Sequence, residues 1–159
     1  MPTFGDGHDL LTAMPRAVRG KGVMMIRYLF GGFLILHGLV HMLYFGHSAK
    51  IFELQAGMTW PEGSWILSRL LGGNPTRLLA SVLLILAALG LVAGGVAILF
   101  GQSWWRPVVV GTLMLSSVLY LVMWNGQFRR LDNQGGIGIL INIGILLAVI
   151  VFRWPTFTF

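Results

Sequence analysis

Four apolar runs, about Met24 to Gly46, Leu78 to Phe100, Val108 to Trp124 and Ile137 to Phe152, govern what this chain can fold into. A helix needs roughly 20 mostly apolar residues to cross a bilayer, and peptide groups inside hydrocarbon must bond to one another. The expected fold is therefore all-α, an integral membrane four-helix bundle formed by one transmembrane domain over residues 24–159. Only 10% of the 159 residues are charged and 56% are hydrophobic, with a mean hydropathy of +0.80. Soluble domains of this length are far more polar.

The remaining charges set the expected topology. Net +6 on so few ionisable groups fits arginines that flank spans and meet anionic lipid. No basic stripe with interleaved aromatics points to nucleic acid. Residues 1–23 read as an irregular cytoplasmic arm, with Asp6, His8 and Asp9 ahead of Arg16, Arg19 and Lys21. These basic residues and Arg27 cluster before the first span, which places both termini in the cytoplasm of a bacterial inner membrane. Arg106 and Arg153 join the inner set, while Arg129 and Arg130 fall outside. No small-residue cleavage site follows the first span, so it is expected to stay as a helix. Trp104, Trp105, Trp124 and Trp154 stand at span ends, as an interfacial belt requires.

Between the first two spans, Ser48 to Arg77 is too long for a tight hairpin. Lys50 to Gln55 and Trp65 to Leu71 read as two short interfacial helices in this outer loop, parted by Trp60-Pro61-Glu62-Gly63. The loop either lids the bundle or only shields helix ends. Asn74-Pro75-Thr76 is expected to open the second span, with Asn74 as cap and Pro75 in the first helical position. Gly90, Gly94, Ala87, Ala93 and Ala97 give that span a small-residue ridge suited to close helix packing.

The anomaly lies inside the first span, where His37 and His41 share one helical face with Tyr44 one turn further on. Ionisable residues in hydrocarbon are costly and mark candidate sites. At 1.5 Å of rise per residue, His37 lies near mid-membrane and His41 about 6 Å nearer the outer surface. Ser116, Ser117 and Tyr120 of the third span and Asn142 of the fourth share that half, whereas the second span supplies only Ser81.

Several chemistries fit these residue types. His37, His41, Tyr44, Tyr120 and Asn142 can line a quinone pocket, in which a neutral imidazole donates to a carbonyl or relays a proton. Equally, the two histidines can bond across helices to Ser116, Tyr120 or Asn142 and fix the packing. Two histidines on one helix face cannot grip both sides of a haem, though one can serve as single axial ligand to haem or chlorophyll at an interface. A metal site would need His47, about 80° away on an ideal helix. The chain has no cysteine, which removes thiolate ligands, disulfides and thiol redox chemistry.

Arg27, Gly31, His37 and Gly38 resemble the opening helix of the DoxX-like family of small four-helix membrane proteins, which often reads R-x-x-x-G-x-x-x-x-x-H-G-x-x-K. The long first loop, the glycine-rich second span and Gln134-Gly135-Gly136 add looser likeness. The resemblance implies the same fold and a link to thiosulfate and quinone oxidation. Two departures bear on that: His41 replaces the family lysine, and the second-span glutamate is missing. Together with the lack of a complete catalytic set, they favour an accessory subunit of a larger respiratory or photosynthetic complex. The expected partners are lipids and other membrane subunits. A quinone-linked redox component and a small transporter are the alternatives.

Overall fold

The computed structural model describes residues 16–127 and 134–157, with backbone alone for residues 16–19. Asp6, His8, Asp9, Arg129 and Arg130, used above for topology, lie outside the described residues. Within them the chain is all-α: α1 Arg16–Ser48, α2 Leu67–Leu71, α3 Gly73–Leu99, α4 Trp105–Met123 and α5 Gly136–Leu146, extended by a π-helical turn over Leu147–Val151. Three helical stretches, Gly20–Ser48, Gly73–Leu99 and Trp105–Met123, are long and apolar enough to cross a membrane. The apolar Gly136–Val151 completes the four-helix bundle as a shorter member.

α1 and α3 make the closest pairing, and small residues explain why. Gly31 lies against Gly95, and Gly38 against Ala88, stepping equally in opposite directions along two antiparallel helices. A Cβ added to Gly95 would sit 2.6 Å from the Gly31 carbonyl oxygen, and one on Gly38 would sit 3.0 Å from that of Ala88. One turn beyond, Arg27 donates to the Ile98 and Leu99 carbonyls at 2.8 and 2.6 Å. These belong to the last turn of α3, whose carbonyls lack helical partners and carry the negative end of the helix dipole. Gly90 and Gly94, also on α3, instead face Thr112 and Val109 of α4. The glycines of the expected ridge thus serve α4, while Ala88 and Gly95, outside that ridge, serve α1.

Both long helices end in one motif with different residues at its left-handed position. After α3, Gly101 (φ 70°) allows Gln102 N–H to reach Ala97 O at 2.8 Å and Gly101 N–H to reach Ile98 O at 3.1 Å. After α1, Lys50 (φ 60°) does the same, with Ile51 N–H on Gly46 O at 2.9 Å and Lys50 N–H on His47 O at 3.0 Å. This paired 6→1 and 5→2 pattern satisfies orphan carbonyls. It also reverses the chain where a short helix was expected. Lys50 to Gln55 therefore forms no helix: the turn leads Phe52 back against Gly46, and Leu54 N–H reaches His47. The second expected short helix does form, as α2.

α3 starts earlier than its sequence signal. Gly72 (φ 81°) holds the cap position, and its carbonyl accepts from Thr76 N–H and the Thr76 hydroxyl. Pro75 thus lies within the first turn, where no N–H is needed. Trp105, read as an interfacial tryptophan, is buried instead, packed edge-on to Phe30 and Phe157 beneath the Arg106 guanidinium. Arg106 in turn holds the returning chain by donating to the Arg153 and Pro155 carbonyls. Trp104 and Trp154 remain exposed.

Candidate functional site

α1 places His37 and His41 one turn apart, facing α4 and α5, and both side chains are buried. His41 Nδ1 lies 2.9 Å from the His37 carbonyl, which only accepts, so this nitrogen carries the proton. The remaining nitrogen, Nε2, is then an acceptor, and the Ser116 hydroxyl 2.7 Å away donates to it. Ser116 Oγ accepts in turn from Asn142 Nδ2 at 2.9 Å. The amide orientation of Asn142 follows from its other neighbour. Ser117 gives its hydroxyl proton back to Leu113 O at 2.8 Å and can only accept from Asn142 Nδ2, 3.3 Å away. Asn142 Oδ1 therefore faces His37, whose Nε2–H donates to it at 2.7 Å.

The result is a directed chain from His37 through Asn142 and Ser116 to His41, returning to the His37 carbonyl. It ties α1, α4 and α5 together near the middle of the bundle. Buried networks of this kind specify one packing arrangement. Of the two neighbouring serines, Ser117 bonds back along its own helix, whereas Ser116 bonds across to α1 and α5.

Tyr44 and Tyr120 take a different place. Their rings meet edge-on at 5.2 Å, and Trp60 from the outer loop contacts both, 5.4 Å from Tyr44 and 5.6 Å from Tyr120. These three aromatics plug the loop end of the bundle, and Tyr120 also touches the His41 ring, with centroids 5.8 Å apart. Gly135 (φ 84°) at the start of α5 presses onto the Tyr120 ring, where a Cβ would overlap it. Trp60 was legible in sequence only as part of a helix break. Its burial shows that the loop is anchored in the core.

The five sequence-predicted site residues thus divide. His37, His41 and Asn142 join through Ser116, whereas Tyr44 and Tyr120 pack as aromatics beside them. His47 is remote, its Nδ1 accepting a long bond of 3.4 Å from Leu54 N–H. Among the described residues, no three His, Asp or Glu side chains converge as metal ligands. Phe33 lies parallel to His37, with centroids 6.2 Å apart. It borders an apolar groove of about 310 Å³ with Ile26, Leu29, Phe30 and Trp154. Compared with protein-family models, curated proteins and solved structures, the chain matches none.

Proposed function

We propose that this protein is a non-catalytic accessory subunit of a larger respiratory or photosynthetic complex. It sits in a bacterial inner membrane with both termini on the cytoplasmic side. The observation that supports this reading is the His37–Asn142–Ser116–His41 network, in which the His37 ring N–H, the Asn142 amide and the Ser116 hydroxyl serve helix-to-helix bonds while the His41 ring N–H bonds within α1. Such a core gives a rigid element for neighbours to pack on. Broad apolar faces, including Leu36, Leu39 and Leu43 of α1 and Leu140, Ile143 and Leu147 of α5, supply surface for lipid and adjoining subunits. The test is purification from native membranes in mild detergent, with subunit identification and an absorption spectrum. Co-migration with haem- or pigment-bearing chains, and loss of that assembly when this gene is deleted, is the expected result. A monomer whose deletion leaves every such complex intact would overturn it.

A second reading, a DoxX-like quinone-linked component, draws on one feature of the same network. His37 Nδ1 has no hydrogen-bond partner among the described residues, and with Nε2 protonated it is an acceptor. Ile26, Phe30, Phe33 and His37 follow one another at helical spacing, so the apolar groove lies on the His37 face of α1. A quinol hydroxyl could donate to Nδ1 while an apolar tail fills the groove. This reading requires His37→Leu to abolish quinol binding in detergent-solubilised protein, and unchanged binding ends it.

A further inference from the structure

A cleft of about 330 Å³ opens at the loop end of the bundle, apart from the histidine network. Its polar wall carries His47, Lys50, Glu53, Glu62 and Arg77, two formal cations and two formal anions beside an imidazole. Its other wall is apolar, formed by Phe52, Met58 and buried Trp60. The volume lies in the range of small-molecule sites, and the mixture of convergent polar groups with an apolar wall is what such sites show.

Three observations indicate which groups remain available. His47 is only 8% exposed, and its Nδ1 accepts from Leu54 N–H, so Nε2 carries a proton. That N–H has no partner among the described residues, and His47 is among the residues that line the cleft. Lys50 Nζ and Arg77 Nη1 both contact the same oxygen of Glu62, at 3.0 and 3.2 Å. Among the described residues, the rest of the guanidinium fork, two ammonium protons and Glu62 Oε2 are left over. Glu53 adds a carboxylate on the same rim that forms no ion pair among the described residues.

Donors thus gather at His47, Lys50 and Arg77, and acceptors at Glu53 and Glu62. A simple anion would be opposed by the carboxylates, and a simple cation by the lysine and arginine. We propose that this cleft binds a zwitterionic group carrying a phosphate and a primary ammonium, as the head group of an aminophospholipid does. The phosphate oxygens accept from Arg77, Lys50 and His47 Nε2–H, while the ammonium donates to Glu53 and Glu62 Oε2. The cleft lies where α1 and α3 leave the apolar zone, at the level of lipid head groups.

The test uses the full chain in detergent, titrated with phosphatidylethanolamine, phosphatidylcholine or phosphatidylglycerol and read by native mass spectrometry. Phosphatidylethanolamine is expected to be retained about tenfold better than either other lipid, the scale of one charge-assisted hydrogen bond. Glu53→Gln, at an exposed position, should erase its advantage over phosphatidylglycerol, and His47→Phe should weaken all three. Soluble phosphoethanolamine, titrated by calorimetry, separates the sources: binding comparable to the lipid assigns the site to a free zwitterion, and binding of the lipid alone to a head group. Equal retention of the three lipids, or a preference that survives both substitutions, overturns the proposal.

Discussion

Asn142 is the residue on which the polar core depends. It answers His37 with its oxygen and two serines with its nitrogen, so Asn142→Ala removes a bond from three side chains at once and leaves the His37 N–H unpaired. Interhelical hydrogen bonds in membranes average well under 1 kcal/mol, with values up to about 1.7. The Asn142→Ala variant should therefore lose about 1–2 kcal/mol in detergent-titrated unfolding. Ser116→Ala and His41→Leu should each lose less and combine non-additively, because they share one bond. At the loop end, the hydrogen bond from Lys50, joined by the charge of Arg77, holds the Glu62 carboxyl below the usual carboxylate range despite some burial. The stabilisation from that depressed value is complete above the ordinary carboxylate range and disappears as pH falls through the lowered one. Glu62 is 40% exposed, so screening keeps the effect under about 1 kcal/mol. Glu62→Gln should accordingly melt below wild type at pH 7 and level with it in strong acid.

At the scale of elements, the spacing of Arg27, Gly31 and Gly38 acquires a physical meaning: all three lie on the face of α1 that meets α3. Gly95→Ala should destabilise by about 1–3 kcal/mol, because backbone and Ile35 both stand within 3 Å of the added carbon. Gly32→Ala, one residue off that face with nothing within 4 Å, should cost nothing, and parallel thermal melts separate the two. The sequence made the convergence of His37, His41, Ser116 and Asn142 readable, since depth follows from counting 1.5 Å steps along each apolar run. Azimuth was harder. Whether Tyr44 and Tyr120 reach a histidine or stack on a loop tryptophan depends on where Trp60 returns, and helical periodicity carries no information about a loop's path. The Lys50–Gln55 segment misled for a related reason: its composition suits a helix, but Lys50 adopts the left-handed turn that ends α1.

Across the whole molecule, the four-helix order places the described start of α1 and the chain after α5 at one end of the bundle, and the loop between α1 and α3 at the other. The absence of native cysteine makes this testable, as Thr59→Cys and Thr156→Cys each introduce a single thiol. On the orientation proposed above, an impermeant maleimide added to intact spheroplasts should label the first and spare the second. Apolar runs made the bundle legible because hydrocarbon punishes polarity along a whole helix. The outer loop, where water satisfies its backbone, was under no such constraint.

The unequal walls of the bundle carry one further consequence. Gly136–Val151 spans 16 residues, about 24 Å at helical rise, against a hydrocarbon core of about 30 Å. α3, with 27 residues, exceeds that thickness. A bilayer meeting both must pinch on one flank and relax on the other, so this protein carries a built-in preference for lipid chain length. Its melting temperature should peak in short-chain phosphatidylcholine and decline as acyl chains lengthen, sorting it toward the thinner regions of whatever membrane holds it.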